Sequence, residues 1–172
     1  MTCIVGISDG INVYMGGDRG MGTQDVILSS SRSKVKINGD YLIGFAGSAG
    51  IGELLHFIEL PPPERNIEKT LRTSFIYNLK QAIDKYGDAS YLENNTTDWL
   101  IGTKGRLFEI CSEDWSVCEF EYSAIGTGSD IALGSLHTSS RWGDSKKRIK
   151  SSLQAAIDIS PTCLGPMDIL EI

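Results

Sequence analysis

The chain has 172 residues, 41% hydrophobic and 22% charged, which is enough for one domain with a core of its own. A formal charge of −6, from 16 Lys+Arg against 22 Asp+Glu, argues against a nucleic-acid binder, whose affinity comes from cations set against phosphates. Two histidines, His56 and His137, exclude a His-rich metal site, and four cysteines without CxxC spacing exclude zinc ribbons and thioredoxin-like motifs.

Cys3, Cys111, Cys118 and Cys163 are expected to be reduced, mostly packed thiols, because a chain of this length needs no disulfides to hold its core. Residues 2–8 enter a strand at once, with no charged and then apolar leader, and no run of about 18 apolar residues occurs. The expected compartment is the cytoplasm, where the sequons at Asn94 and Asn95 carry no glycan.

In chain order, a β-rich run over residues 2–8 meets the turn Asp9-Gly10 and returns over 11–17. A second hairpin pairs residues 33–37 with 41–46 through Asn38-Gly39-Asp40. Gly47-Ser48-Ala49-Gly50 opens a helix with Ile51, Leu54, Leu55 and Ile58 inward, and Pro61-Pro62-Pro63 stops it. A longer helix over residues 66–86 sets Ile67, Leu71, Phe75, Leu79 and Ile83 at four-residue steps, closed by Gly87. Strands follow at 99–102, 106–111 and 117–125. Ser129 is the expected cap of a short helix carrying Ile131, Leu133 and Leu136. Asp144 caps another with Ile149, Leu153, Ala156 and Ile157 inward, and a last strand spans 167–172. With no repeat or linker, residues 1–172 form one domain. Its fold class is α+β, with sheets between helix layers.

If Asp9-Gly10 is a two-residue loop, paired positions sum to 19 and Thr2 faces Gly17, next to Asp18. The second hairpin sets Lys34 across from residues 43–45, just before Gly47. If both hairpins share one sheet, Thr2, Asp18, Lys34 and Gly47 meet at one edge. Taken singly, each has an ordinary explanation: a turn aspartate, a solvent-facing lysine, a glycine relieving crowding.

Together, Thr2-Cys3-Ile4-Val5-Gly6, Gly16-Gly17-Asp18-Arg19, Ser33-Lys34-Val35, Ile43-Gly44-Phe45-Ala46-Gly47 and Ala124-Ile125-Gly126-Thr127-Gly128 resemble the proteasome β-subunit family. The nearest likeness is to its bacterial HslV branch, over nearly the whole chain. The resemblance implies a four-layer αββα sandwich of two antiparallel sheets, the N-terminal nucleophile hydrolase fold. It implies threonine peptidase activity on unfolded polypeptides, with no cofactor or metal. Self-association into stacked rings and a ring-shaped ATPase unfoldase as partner come with it, and no nucleic acid or membrane.

By that resemblance Thr2 is the nucleophile once Met1 is removed, and its α-amine, with an ordinary pKa of ~7.7–8.0, is the base. Lys34 favours the deprotonated hydroxyl, Asp18 orients Lys34, and Gly47 N–H at a helix N-terminus is the oxyanion donor. Thr127 and Ser129 complete the catalytic set, Phe45 walls the specificity pocket, and Met21 and Gly22 lie on the strand that pairs with substrate. No histidine is needed.

The sequence departs from the pattern in two places. Thr127 stands where the family usually has serine. The segment Ser160-Pro161-Thr162-Cys163-Leu164-Gly165-Pro166 lacks the expected Asp followed by Ser before a Gly pair, which predicts weaker support of Thr2. Three other readings compete. A catalytically inactive ring subunit fits those departures, and an amidohydrolase of the same nucleophile class is disfavoured by the short chain. A nucleotide-binding domain is disfavoured because Glu53-Leu54 follows the glycines where a phosphate loop needs Lys-Ser/Thr.

Overall fold

A computed structural model describes residues 1–22, 26–86, 90, 92 and 95–172. Gly87 and Asn94 lie outside the described residues. The first hairpin joins β1 (Ile4–Ser8) to β2 (Val13–Asp18). Its register sets Ile4 opposite Gly17 and Ser8 opposite Val13, so paired positions sum to 21. The expected two-residue loop is therefore corrected to four residues. Asp9 Oδ1 accepts from Ile11 N at 2.9 Å and Asn12 N at 2.7 Å, and this side-chain turn replaces a tight hairpin. A slip of two leaves every side chain on its expected face.

β3 (Gly20–Gly22) and β4 (Ile27–Ser29) pair as a small ribbon, of which β4 has no counterpart in the sequence reading. β5 (Val35–Asn38) and β6 (Tyr41–Ala46) form the second hairpin, with Asn38 opposite Tyr41 across Gly39-Asp40. The chain then makes α1 (Ala49–Gly52) and a 3-10 turn (Glu53–His56), shorter than the single helix expected there.

The second helix comprises α2 (Ile67–Thr70), a π-helical turn (Leu71–Phe75) and α3 (Ile76–Tyr86). Its five apolar residues are all buried. Strict four-residue spacing drifts by ~40° per step on an α-helix, and the wider π turn returns it to one face.

β7 (Asp98–Thr103) and β8 (Arg106–Cys111) follow. The run 117–125 is not one strand, as expected, but two: β9 (Val117–Phe120) and β10 (Tyr122–Ile125). They belong to different sheets, and the chain crosses over at Glu121. α4 (Ser129–Thr138) and α5 (Ser145–Ile159) precede β11 (Met167–Glu171). Asp144 caps α5 by accepting from Lys147 N at 2.9 Å, as expected. Ser129 does not cap α4; Gly128 holds that position without a side-chain bond.

Two antiparallel sheets result, ordered β10-β1-β2-β11 and β5-β6-β7-β8-β9. The hairpins thus lie in different sheets, not in one, and face each other across a shared core of Ile4, Val13, Met15, Val35, Leu42, Leu100 and Leu107. A second core packs Tyr41, Ile43, Phe45 and Trp99 beneath α1 to α3, and a third packs Val5 and Ile7 beneath α4 and α5. Three cores between four layers are the αββα sandwich of the sequence reading. Each fully buried Leu, Ile or Phe contributes about 1.5–3 kcal/mol. Among the described residues no helix is long and apolar enough to cross a membrane.

His56 sits in the outer core, 5% exposed, with Nε2 3.3 Å from Ile43 O and its ring edge-on to Phe45. Burial pushes its pKa down from 6.5 to about 4. Between those values the unfolded chain binds a proton at His56 that the folded chain does not. Stability therefore falls as pH drops through that window, by on the order of 3 kcal/mol. Urea unfolding at pH 7 and pH 4.5 should show this loss in wild type and a flatter dependence in His56→Gln.

Candidate active site

Thr2 precedes β1 and is 6% exposed; Asp18 ends β2 at 0%, and Lys34 precedes β5 at 2%. Lys34 Nζ donates to Asp18 Oδ1 at 2.8 Å across the gap between the sheets. The same carboxylate accepts from Cys3 N (2.8 Å), Gly20 N (2.9 Å) and Leu164 N (3.2 Å). A buried carboxylate is tolerable only with such a full set of donors. It fixes the residue after Thr2, the start of β3 and the C-terminal segment to one point. The register of the second hairpin, extended by one residue, puts Lys34 level with Phe45, inside the expected range.

Thr2 N donates to Thr127 Oγ1 at 3.2 Å. Thr127 Oγ1 lies 2.7 Å from Thr162 Oγ1, which lies 2.8 Å from Ser160 Oγ. This row of hydroxyls ends on the segment from which weak support of Thr2 was expected. Thr162 and Ser160 thus reach the Thr2 nitrogen through Thr127, although the segment lacks the Asp, Ser and Gly pair of the family pattern. Sequence reasoning passed over both, since hydroxyl residues in a Pro-rich loop carry no signal of their own. Met1 O accepts from Thr2 Oγ1 and, at 3.4 Å, from Lys34 Nζ.

Two glycines close the site for steric reasons. Gly126 has φ +93°, and a Cβ there would stand 2.4 Å from Thr2 O. Gly47 has φ +122°, and its Cβ would stand 2.6 Å from Thr96 O and 2.7 Å from Thr97 Cα. Gly47 lines the cavity beside Thr2, but α1 after it has only four residues, so the helix-terminus support expected for its N–H is small.

That cavity, of about 440 Å³, is bounded by Thr2, Gly47, Thr127 and Ser129 together with Asp98 and Glu109. It gathers Thr2, Gly47, Thr127 and Ser129 of the sequence-derived set, with Asp18 and Lys34 behind Thr2. Phe45 is a correction. Side chains alternate along β6, so Ala46 faces the site while Phe45, 3% exposed, packs under the outer helices. Met21 and Gly22 lie on β3, as expected, outside the lining of this cavity.

Neither histidine lines the cavity: His56 is in the outer core, and His137, exposed, has Nδ1 3.4 Å from Tyr122 Oη. The thiols of Cys3 and Cys163 are buried together; hydrogen bonding between them pushes Cys3 up and Cys163 down to about 7. Cys111 is partly buried and Cys118 exposed, and all four cysteines are free thiols.

Comparison with protein-family models gives no match, and comparison with curated proteins gives none. Solved structures do match. BPH of Thiobacillus denitrificans in complex with Epoxomicin aligns over 100% of this chain and 98% of its own, with TM-score 0.83 and 22% identity. A second structure of BPH from the same organism aligns over 100% and 97%, with TM-score 0.82 and 20% identity. Eukaryotic HslV from Trypanosoma brucei aligns over 99% and 98%, with TM-score 0.72 and 21% identity. The chain thus shares the fold of these structures. It is an HslV-like, proteasome β-type fold.

Asp18→Asn and Lys34→Met should each lower stability by about 3–5 kcal/mol, since each leaves a buried partner uncompensated. The double variant should cost less than the sum of the two, measured by urea unfolding as a double-mutant cycle.

Proposed function

We propose that this chain is a threonine peptidase subunit, with Thr2 as nucleophile once Met1 has been removed. The observation that carries the reading is the position of Thr2 at the cavity edge. It is backed by the buried pair of Asp18 and Lys34 and has the Thr127 hydroxyl on its nitrogen. With Met1 in place, the Met1 carbonyl engages both the Thr2 hydroxyl and the Lys34 ammonium. Its removal frees both and turns the Thr2 nitrogen into an amine that titrates near neutrality.

In the proposed reaction that amine takes the proton from Thr2 Oγ1 as the oxygen attacks a peptide carbonyl. The Lys34 ammonium stabilises the developing negative charge, and Gly47 N–H is the proposed donor to the oxyanion. The protonated amine passes its proton to the departing peptide amine, leaving an acyl ester on Thr2. Water, deprotonated by the same amine, releases the acid and restores the site. Thr127, Thr162 and Ser160 hold the amine in line, and Asp18 holds Lys34.

Assembly of this subunit into stacked rings, in the cytoplasm, would enclose such sites. A ring-shaped ATPase would then supply unfolded chains to them. A preparation that keeps Met1 is, on the same reading, an inactive subunit of the same fold.

Chain freed of Met1, confirmed by intact mass, should hydrolyse fluorogenic peptides, and Thr2→Ala should lose at least about a thousandfold in kcat/KM. Thr162→Val should lower kcat about tenfold and shift the acid limb of the rate profile, with KM little changed. Full activity in Thr2→Ala contradicts the assignment.

A further inference from the structure

The cavity beside Thr2 has an acidic wall that none of the steps above uses. Asp98 opens β7 and Glu109 lies on β8, where Leu100 pairs with Glu109 and Asp98 with Cys111. Alternation puts Asp98, Leu100 and Glu109 on the face that packs against the other sheet, at the edge where the gap opens beside Thr2. Asp98 and Glu109 are diagonal neighbours there, close enough to repel each other.

Asp98 Oδ1 is sealed from solvent and receives no hydrogen bond from the described residues. Glu109 Oε2 accepts the Ser123 hydroxyl, at 2.8 Å. Burial raises the pKa of both carboxyls, and Asp98 raises Glu109 further. No lysine or arginine lines this cavity, and neither carboxylate has an ion pair among the described residues.

A second cavity, of about 640 Å³, shares Glu109 and Ala124 with the first and adds Glu119 and Glu121, again without a lining cation. Of these, Glu119 is already paired with Arg106. The acidic lining therefore runs outward from the Thr2 site instead of ending at it.

Two partly buried carboxylates, matched by no cation among the described residues, are a cost to the fold that a cationic ligand would offset. The ligand that reaches this wall is the one that presents its carbonyl to Thr2. We infer that the cavity selects peptides carrying a lysine or arginine side chain close to the cleaved bond, held by Asp98 and Glu109. The inference rests on the peptidase reading and specifies its substrate class. An aliphatic side chain there would leave both carboxylates without a counter-charge, which disfavours it.

The test uses chain freed of Met1 and internally quenched peptides, identical except that Arg, Gln, Leu or Glu is walked through the positions flanking the cleaved bond. At one position or more, Arg should give kcat/KM about tenfold or more above Leu and Gln. In Asp98→Asn and Glu109→Gln that ratio should fall toward one. A ratio near one in wild type, or an undiminished ratio in both variants, overturns the inference. Binding of the same peptides to Thr2→Ala, read by fluorescence anisotropy, separates this outcome from failure of the peptidase reading. Preferential binding of the Arg peptide sustains the inference even where no peptide is cut, and equal binding of the Arg and Leu peptides overturns it.

Discussion

The buried contact between Asp18 and Lys34 is the constraint on which the site depends. The two residues come from different sheets, and neither charge meets solvent. Such a pair is poor evidence for stability, because desolvation consumes most of its Coulomb energy. Its value is positional. Asp18 also receives N–H groups from Cys3, Gly20 and Leu164, so one carboxylate joins the N-terminus, the start of β3 and the C-terminal segment to the facing sheet. Thr2 precedes Cys3 directly and has little freedom left.

Around that point the fold brings together stretches far apart in sequence. Crossing from β9 to β10 at Glu121 carries Gly126 and Thr127 from one sheet to the other and sets them against Thr2. The bidentate contact of Arg19 with Asp168, at 2.6 and 2.8 Å, ties β11 to the end of β2. Thr162 and Ser160 lie just before that strand, which places their hydroxyls behind Thr127. Thr2, just before the first strand, therefore has its nitrogen on the Thr127 hydroxyl and its own hydroxyl on the Met1 carbonyl.

Much of this was legible in the sequence because it depends on local pattern. The hairpins, the inward helix faces and the Asp144 cap follow from periodicity and capping chemistry. The juxtaposition of Thr2, Asp18 and Lys34 was anticipated on the wrong premises, a two-residue loop and a single shared sheet. It survived because a register slip of two preserves the facing, and because stacked sheets can bring edges together as adjacent strands do. Phe45 failed for the complementary reason: alternation on β6 gives the cavity Ala46 and sends Phe45 to the outer core. The hydroxyl row through Thr162 and the wall of Asp98 and Glu109 were not legible. Both depend on pairing between distant segments, and nothing local distinguishes those residues from surface polar ones.

The central claim is that chemistry occurs at Thr2. Its most direct test is to treat Met1-free chain with an epoxyketone and to map the adduct by peptide mass spectrometry. The account predicts one adduct, on Thr2. An adduct on another residue, or none on a chain whose N-terminus is shown to be Thr2, would contradict it.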